Sequence, residues 1–260
     1  LYFFITKPIY PVKGDETHIS GQILSEKPIR EESIVSEELG EPLANIPVKD
    51  GKFEWSSKEN LPMSSYILKV GNKSYVFILS KGDDLNFDIK TDPKNFDVLL
   101  KGTRKAENQY VTSNEERPSL FYGWTVPQKK YASEPEKFYD EAQEEWEDSQ
   151  KFLASYRTKE NIYFADDFRD FQKQLMAVKM LNAIYGYQKM TSFSDKKFAP
   201  PAEFYKTLQN EIRKPVPVLL ATTEYKDFRI KELLPTSGTK KPDSIIFNKI
   251  AAMPNGLERD

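Results

Sequence analysis

Over the first hundred residues, apolar and polar side chains alternate in short runs, the period-two pattern of half-buried strands. His18-Ile19-Ser20-Gly21-Gln22-Ile23-Leu24 begins one strand, Ser33 to Leu39 predicts another, and Ile46-Pro47-Val48-Lys49 a third. Asp50-Gly51 then leads into Lys52-Phe53-Glu54-Trp55. An Asp-Gly pair between alternating runs predicts a hairpin, because Gly supplies the positive φ that the turn needs. Gly71-Asn72-Lys73 predicts a second hairpin, joining Tyr66-Ile67-Leu68-Lys69-Val70 to Tyr75-Val76-Phe77-Ile78-Leu79. Leu85, Phe87 and Ile89 alternate strictly with polar residues and so share one strand face. About seven short strands with frequent turns predict an antiparallel β-sandwich over residues 1–102.

The period changes at Gly102. Thr103 to Glu116 is polar and helix-compatible, and Arg117-Pro118 ends it. An aromatic loop, Ser119 to Ala132, follows. Phe138, Ala142, Trp146, Leu153 and Tyr156 then recur at helical spacing, as do Phe164, Phe168, Phe171, Leu175, Val178, Leu181 and Tyr185. Pro200-Pro201 precedes a helix carrying Phe204, Leu208 and Ile212, which Pro215 and Pro217 close. Thr223 is placed to cap another helix running through Leu234. The expectation is a β + α two-part chain: an antiparallel β-sandwich over 1–102, an all-helical domain over 103–234, and a polar linker or tail over 235–260. No period of 20 to 50 residues repeats, which disfavours a solenoid or propeller.

Composition narrows the function classes. The chain has 38 basic and 40 acidic residues, a net charge of −2, so no global field attracts nucleic acid or anionic lipid. It contains no cysteine, which removes disulfides, thiolate metal sites and thiol nucleophiles together. No apolar run approaches the roughly 20 residues that a membrane-spanning helix requires. The opening Leu1-Tyr2-Phe3-Phe4-Ile5 is too short for a signal-peptide core, and without an initiator Met it points to a processed or trimmed chain.

Candidate chemistry is sparse. His18 is the single histidine, so any imidazole-dependent mechanism rests on it, and its place beside an alternating strand points to a partly exposed strand residue instead. The acidic stretch Glu134 to Asp148 shares its segment with an apolar stripe and lacks an Asp-x-Asp-x-Asp-Gly loop, so it reads as a solvated helix face and not a Ca²⁺ site. Phosphate-binding, nucleophile-elbow and His-Glu-x-x-His motifs are absent from the sequence. No catalytic residue, cofactor site or metal ligand is therefore assigned. Phe121, Tyr122 and Trp124 stand out, three large aromatics in a loop with Gly123 and Pro127. They either anchor a partner or cover a seam between the two parts.

Several segments together resemble the N-terminal, pre-thioredoxin region of TlpA-like thiol-disulfide oxidoreductases of Gram-negative envelopes. Ile19-Ser20-Gly21-Gln22-Ile23 is similar to that region's "I-x-G-x-I" strand, and Asp50-Gly51-Lys52-Phe53 to its "D-G-x-F" hairpin. Gly82-Asp83 before an alternating strand matches "G-D-x-L". Gly102 with Glu107-Asn108-Gln109-Tyr110 resembles a "G-x-x-x-x-E-N-x-Y" helix entrance, and Ala199-Pro200-Pro201 through Leu208 a later helix start. The resemblance implies a periplasmic or outer-envelope location and a non-catalytic structural or interaction region. A C-terminal thioredoxin module, a client protein or a second copy of the chain would be its partner. The family's Trp-Cys-x-x-Cys site has no counterpart here, so the chain by itself is expected not to reduce disulfides. The competing expectation is a stand-alone envelope protein that binds a glycan or peptide.

Overall fold

The computed structural model describes residues 8–26, 28–36, 42–112, 134–191 and 201–233. Among them, eight strands precede six helices. The strands are β1 (Thr17–Ser25), β2 (Glu31–Ser36), β3 (Pro42–Pro47), β4 (Lys52–Ser57), β5 (Ser64–Val70), β6 (Lys73–Leu79), β7 (Asp84–Thr91) and β8 (Phe96–Gly102). The helices are α1 (Lys105–Thr112), α2 (Pro135–Ser155), α3 (Asp166–Thr191), α4 (Ala202–Glu211), α5 (Pro217–Ala221) and α6 (Thr223–Leu233). The chain is thus a mixed β + α protein. Among the described residues, no helix is long and apolar enough to cross a membrane.

The strands form two four-stranded sheets, ordered β4-β1-β7-β8 and β3-β2-β5-β6. Two sequence expectations need correction. Asp50 and Gly51 do form a tight turn, with φ of 52° and 71°, closed by reciprocal Lys49–Lys52 backbone hydrogen bonds of 2.9 Å. Beyond that bridge no hairpin ladder continues, because β3 pairs with β2 while β4 pairs with β1. The turn carries the chain from one sheet to the other. The second correction concerns strand direction: β1 and β7 run parallel, from His18↔Asp84 to Ser25↔Thr91, so that sheet is mixed. Antiparallel neighbours follow from tight turns, whereas long crossovers permit parallel ones. The chain between β1 and β7 passes through the other sheet, and no turn constrains their direction.

Apolar side chains from both sheets meet in one cluster that includes Ile19, Ile34, Leu68, Phe77, Leu85 and Phe87. Phe77 of one sheet and Phe87 of the other meet edge to face, with centroids 5.3 Å apart. Leu85, Phe87 and Ile89 all point inward, as their alternation predicts. Val70 and Lys73 close the β5–β6 hairpin at Gly71-Asn72, also as predicted.

Contacts divide the chain into two compact units, and the division is not a single cut in the sequence. The first holds the strands, α1 and Tyr156–Phe168; the second holds α2, α3 from Arg169 onward, and α4 to α6. In the second, Phe138 stacks on Tyr187 at 4.0 Å, and Met176, Ala177, Val178, Leu181 and Ile184 of α3 are buried. Three consecutive buried residues mean that α3 is covered on more than one face. This explains why Phe171 and Leu175, expected on a single buried stripe, stay partly exposed. Tyr156, expected on that same stripe's partner, lies beyond the end of α2 and stacks on Phe164 in the first unit. The cap of α6 falls one residue earlier than expected, since the Tyr225 N–H donates to Thr222 Oγ1 at 3.3 Å.

Candidate functional site

The densest polar arrangement in the first unit is built around Arg104, whose side chain is fully buried at the entrance to α1. Its Nε donates to Asp83 Oδ2 at 2.8 Å, and its two terminal nitrogens grip Asp167 at 2.9 and 2.7 Å. It also donates to Ser80 Oγ at 2.7 Å and to Glu107 Oε1 at 3.3 Å. Asp83 in turn accepts from the Ser80 N–H at 2.7 Å, closing the turn between β6 and β7. Glu107 Oε1 accepts the Ala165 N–H at 2.8 Å, just before α3. One guanidinium therefore joins the β6–β7 turn, α1 and the start of α3.

Asn108 completes the arrangement. Ile78 N–H donates to Asn108 Oδ1 at 2.8 Å, and Asn108 Nδ2 donates back to the Ile78 carbonyl at 3.3 Å. β6 is an edge strand, and this side-chain amide supplies at Ile78 the donor and acceptor that a neighbouring strand would have offered. Tyr110, two residues on, packs edge to face on Tyr156, Phe164 and Phe168. Gly102 admits the turn into α1: its φ is 111°, and a Cβ there would collide with the Asp84 carbonyl.

Charge is unbalanced in this clamp. Asp83, Glu107 and Asp167 face Arg104 and, at the rim, Lys13, which bonds both Ser80 Oγ and Asp167. Burial opposes ionisation of Asp167, yet Arg104 and Lys13 hold its carboxyl well below the usual range. Burial opposes the charge on Arg104 as well, but Asp167, Asp83 and Glu107 outweigh it and raise its pKa. Glu107 goes the other way, pushed up by burial against the pull of Arg104, and its Oε2 has no partner. Asp83, Arg104 and Glu107 are sealed from solvent, while Asp167 and Lys13 stay partly exposed at the rim of the clamp.

The outer face of the β4-β1-β7-β8 sheet presents an accessible polar surface. His18 bridges two carboxylates across three strands, Asp84 Oδ1 at 3.0 Å and Glu54 Oε1 at 2.9 Å, and those bonds raise its pKa. Gln22 and Lys101 both donate to Asp88, at 2.9 and 2.6 Å, and Asn86 donates to Ser20 Oγ at 2.9 Å. An open groove of about 780 Å³ lies over this face, rimmed by Lys49, Lys52 and Asp50. Phe53, the one aromatic lining it, is 4 % exposed, so no ring face is offered to a stacked sugar. The acidic stretch lies at and in α2, where Lys137–Glu141 and Lys151–Asp148 are exposed or nearly so. Among the described residues, no group of three or more His, Asp or Glu side chains is arranged to hold a metal ion. Phe121, Tyr122 and Trp124 lie outside the described residues.

No protein-family model matches the chain, and no curated protein matches it either.

Arg104 was not singled out by the sequence. Its signal is weak: one arginine three residues before Glu107, an i,i+3 spacing that many exposed pairs share. Gly82-Asp83 and Glu107-Asn108, which carry the family resemblance, do converge on it.

Proposed function

We propose that this chain is the non-catalytic front region of an envelope thiol-disulfide oxidoreductase-like protein, a β-sandwich with a helical domain. It would orient a thioredoxin module or hold a client in the periplasm or outer envelope. The observation that carries this reading is the convergence of Asp83, Glu107 and Asn108 on Arg104 in one buried clamp. Residues that are most similar to the family's motifs are spent on holding strands and helix together, which is the part of a scaffold. Disulfide exchange runs through a thiolate, and the chain carries none. The test is insulin reduction with dithiothreitol as electron source. The chain alone should match buffer, and the full gene product should accelerate reduction through a Cys-x-x-Cys pair. An inactive full product favours the second reading.

That second reading, a stand-alone binding protein, draws on the outer groove. Its mixture of amide, hydroxyl, lysine and carboxylate groups suits a polar, hydrogen-bonding ligand. With no stacking ring, a peptide fits it better than a glycan. Peptide binding lost in both Gln22→Ala and Asn86→Ala would favour it, and retention of binding in both would remove this groove as the site.

A further inference from the structure

Glu32 occupies an inward position of β2. It shares a face with Ile34 two residues on, and both are buried in the first unit. In register it lies in the row Ile46–Glu32–Val70–Lys73, running across β3, β2, β5 and β6. It is 1 % exposed, and neither carboxylate oxygen has a hydrogen-bond partner.

The surroundings hold little to stabilise a charge. Its neighbours in the row on β3 and β5 are Ile46 and Val70. Lys73, the cation of that row, stands two strands away, about 10 Å by sheet spacing. The inward residues of both sheets that form the shared cluster are uncharged, with Tyr66 and Tyr75 their only ionisable groups. Tyr66 OH donates to the Pro62 carbonyl. Arg30, Lys52, Lys69 and Lys90 are exposed. A carboxylate here would lose its hydration without gaining a partner, so the neutral acid is the favoured form.

We propose that Glu32 is held as a neutral carboxylic acid and makes closure of β2 onto the first unit a proton-coupled step, a latch that loosens as pH rises. The inference is independent of the functional reading above. Burial alone pushes the Glu32 carboxyl from 4.5 up to about 8. Between those values the folded unit keeps the proton and the unfolded chain releases it, so stability falls as pH rises through that window and levels off above it. β3 is the edge strand beside β2, so opening this pair relieves the buried acid with the fewest broken ladders.

Two measurements on the full chain test this. In a ¹³C NMR titration, the Glu32 side-chain carboxyl should titrate near pH 8; titration near 4.5 would overturn the proposal. In urea unfolding from pH 5 to pH 8, the wild-type folding constant should fall against Glu32→Gln by about 400-fold in all, approaching tenfold per pH unit in the middle of the range. Parallel pH dependences for the two proteins would also overturn it. If the Gln variant fails to fold, the titration alone decides.

Discussion

Replacing Arg104 with Met keeps much of its volume and removes its charge and all five of its hydrogen bonds. Asp83 and Glu107, each 0 % exposed, are then left in the interior without their cation. Asp167 is 37 % exposed at its side chain and keeps Lys13, so its share of the loss is discounted. Stranding a buried charge in this way costs about 3–5 kcal/mol. That is a large part of the 5–15 kcal/mol that typically holds a domain together. Urea unfolding of the full chain measures the loss, and hydrogen exchange at the Ile78 and Ser80 amides assigns it to the first unit. Arg104→Lys should lie between, because one ammonium cannot grip Asp167 with two bonds while reaching Asp83. Adding Asp83→Asn to Arg104→Met should cost less than Asp83→Asn costs alone, since the two share one interaction. A loss below about 1 kcal/mol, or full additivity, would refute the reading of this cluster as a structural clamp.

Two further outcomes follow from the geometry. Phe168→Ala should cost roughly 3–5 kcal/mol, as expected for emptying a fully buried site, and Phe171→Ala distinctly less because it is partly exposed; equal losses in urea unfolding would contradict the burial described. His18, as the single histidine, gives one imidazole NMR signal, and its midpoint should lie above 6.5 because Asp84 and then Glu54 favour the charged ring. Its contribution to stability is present below 6.5 and is lost as pH rises through that raised midpoint, so a midpoint at or below 6.5 would contradict the bridge.

The elements were largely legible where local rules dominate. Alternation placed Leu85, Phe87 and Ile89 inward, and the turn residues marked Asp50-Gly51 and Gly71-Asn72 correctly. Pairing was less legible, because turn chemistry fixes a reversal but not which sheet receives the next strand. The parallel β1–β7 pair, 66 residues apart at His18↔Asp84, has no local signature. Tertiary cover also displaced the expected stripe on α3, where Met176 and Ala177 are buried along with Val178. Glu32 did have a signal, since its parity with Ile34 puts a carboxylate on an inward position. Arg104 had almost none, because its partners come from segments that only the fold brings together.

The central claim, that this chain holds and orients chemistry supplied by another module, is tested most directly by the full product of its gene. Insulin reduction by that protein, driven by dithiothreitol, should exceed buffer and disappear on Cys→Ser at the first cysteine of a Cys-x-x-Cys pair that follows Asp260 within about 150 residues, a usual domain length. A full product without such a pair, or with one and no activity above buffer, would contradict the account.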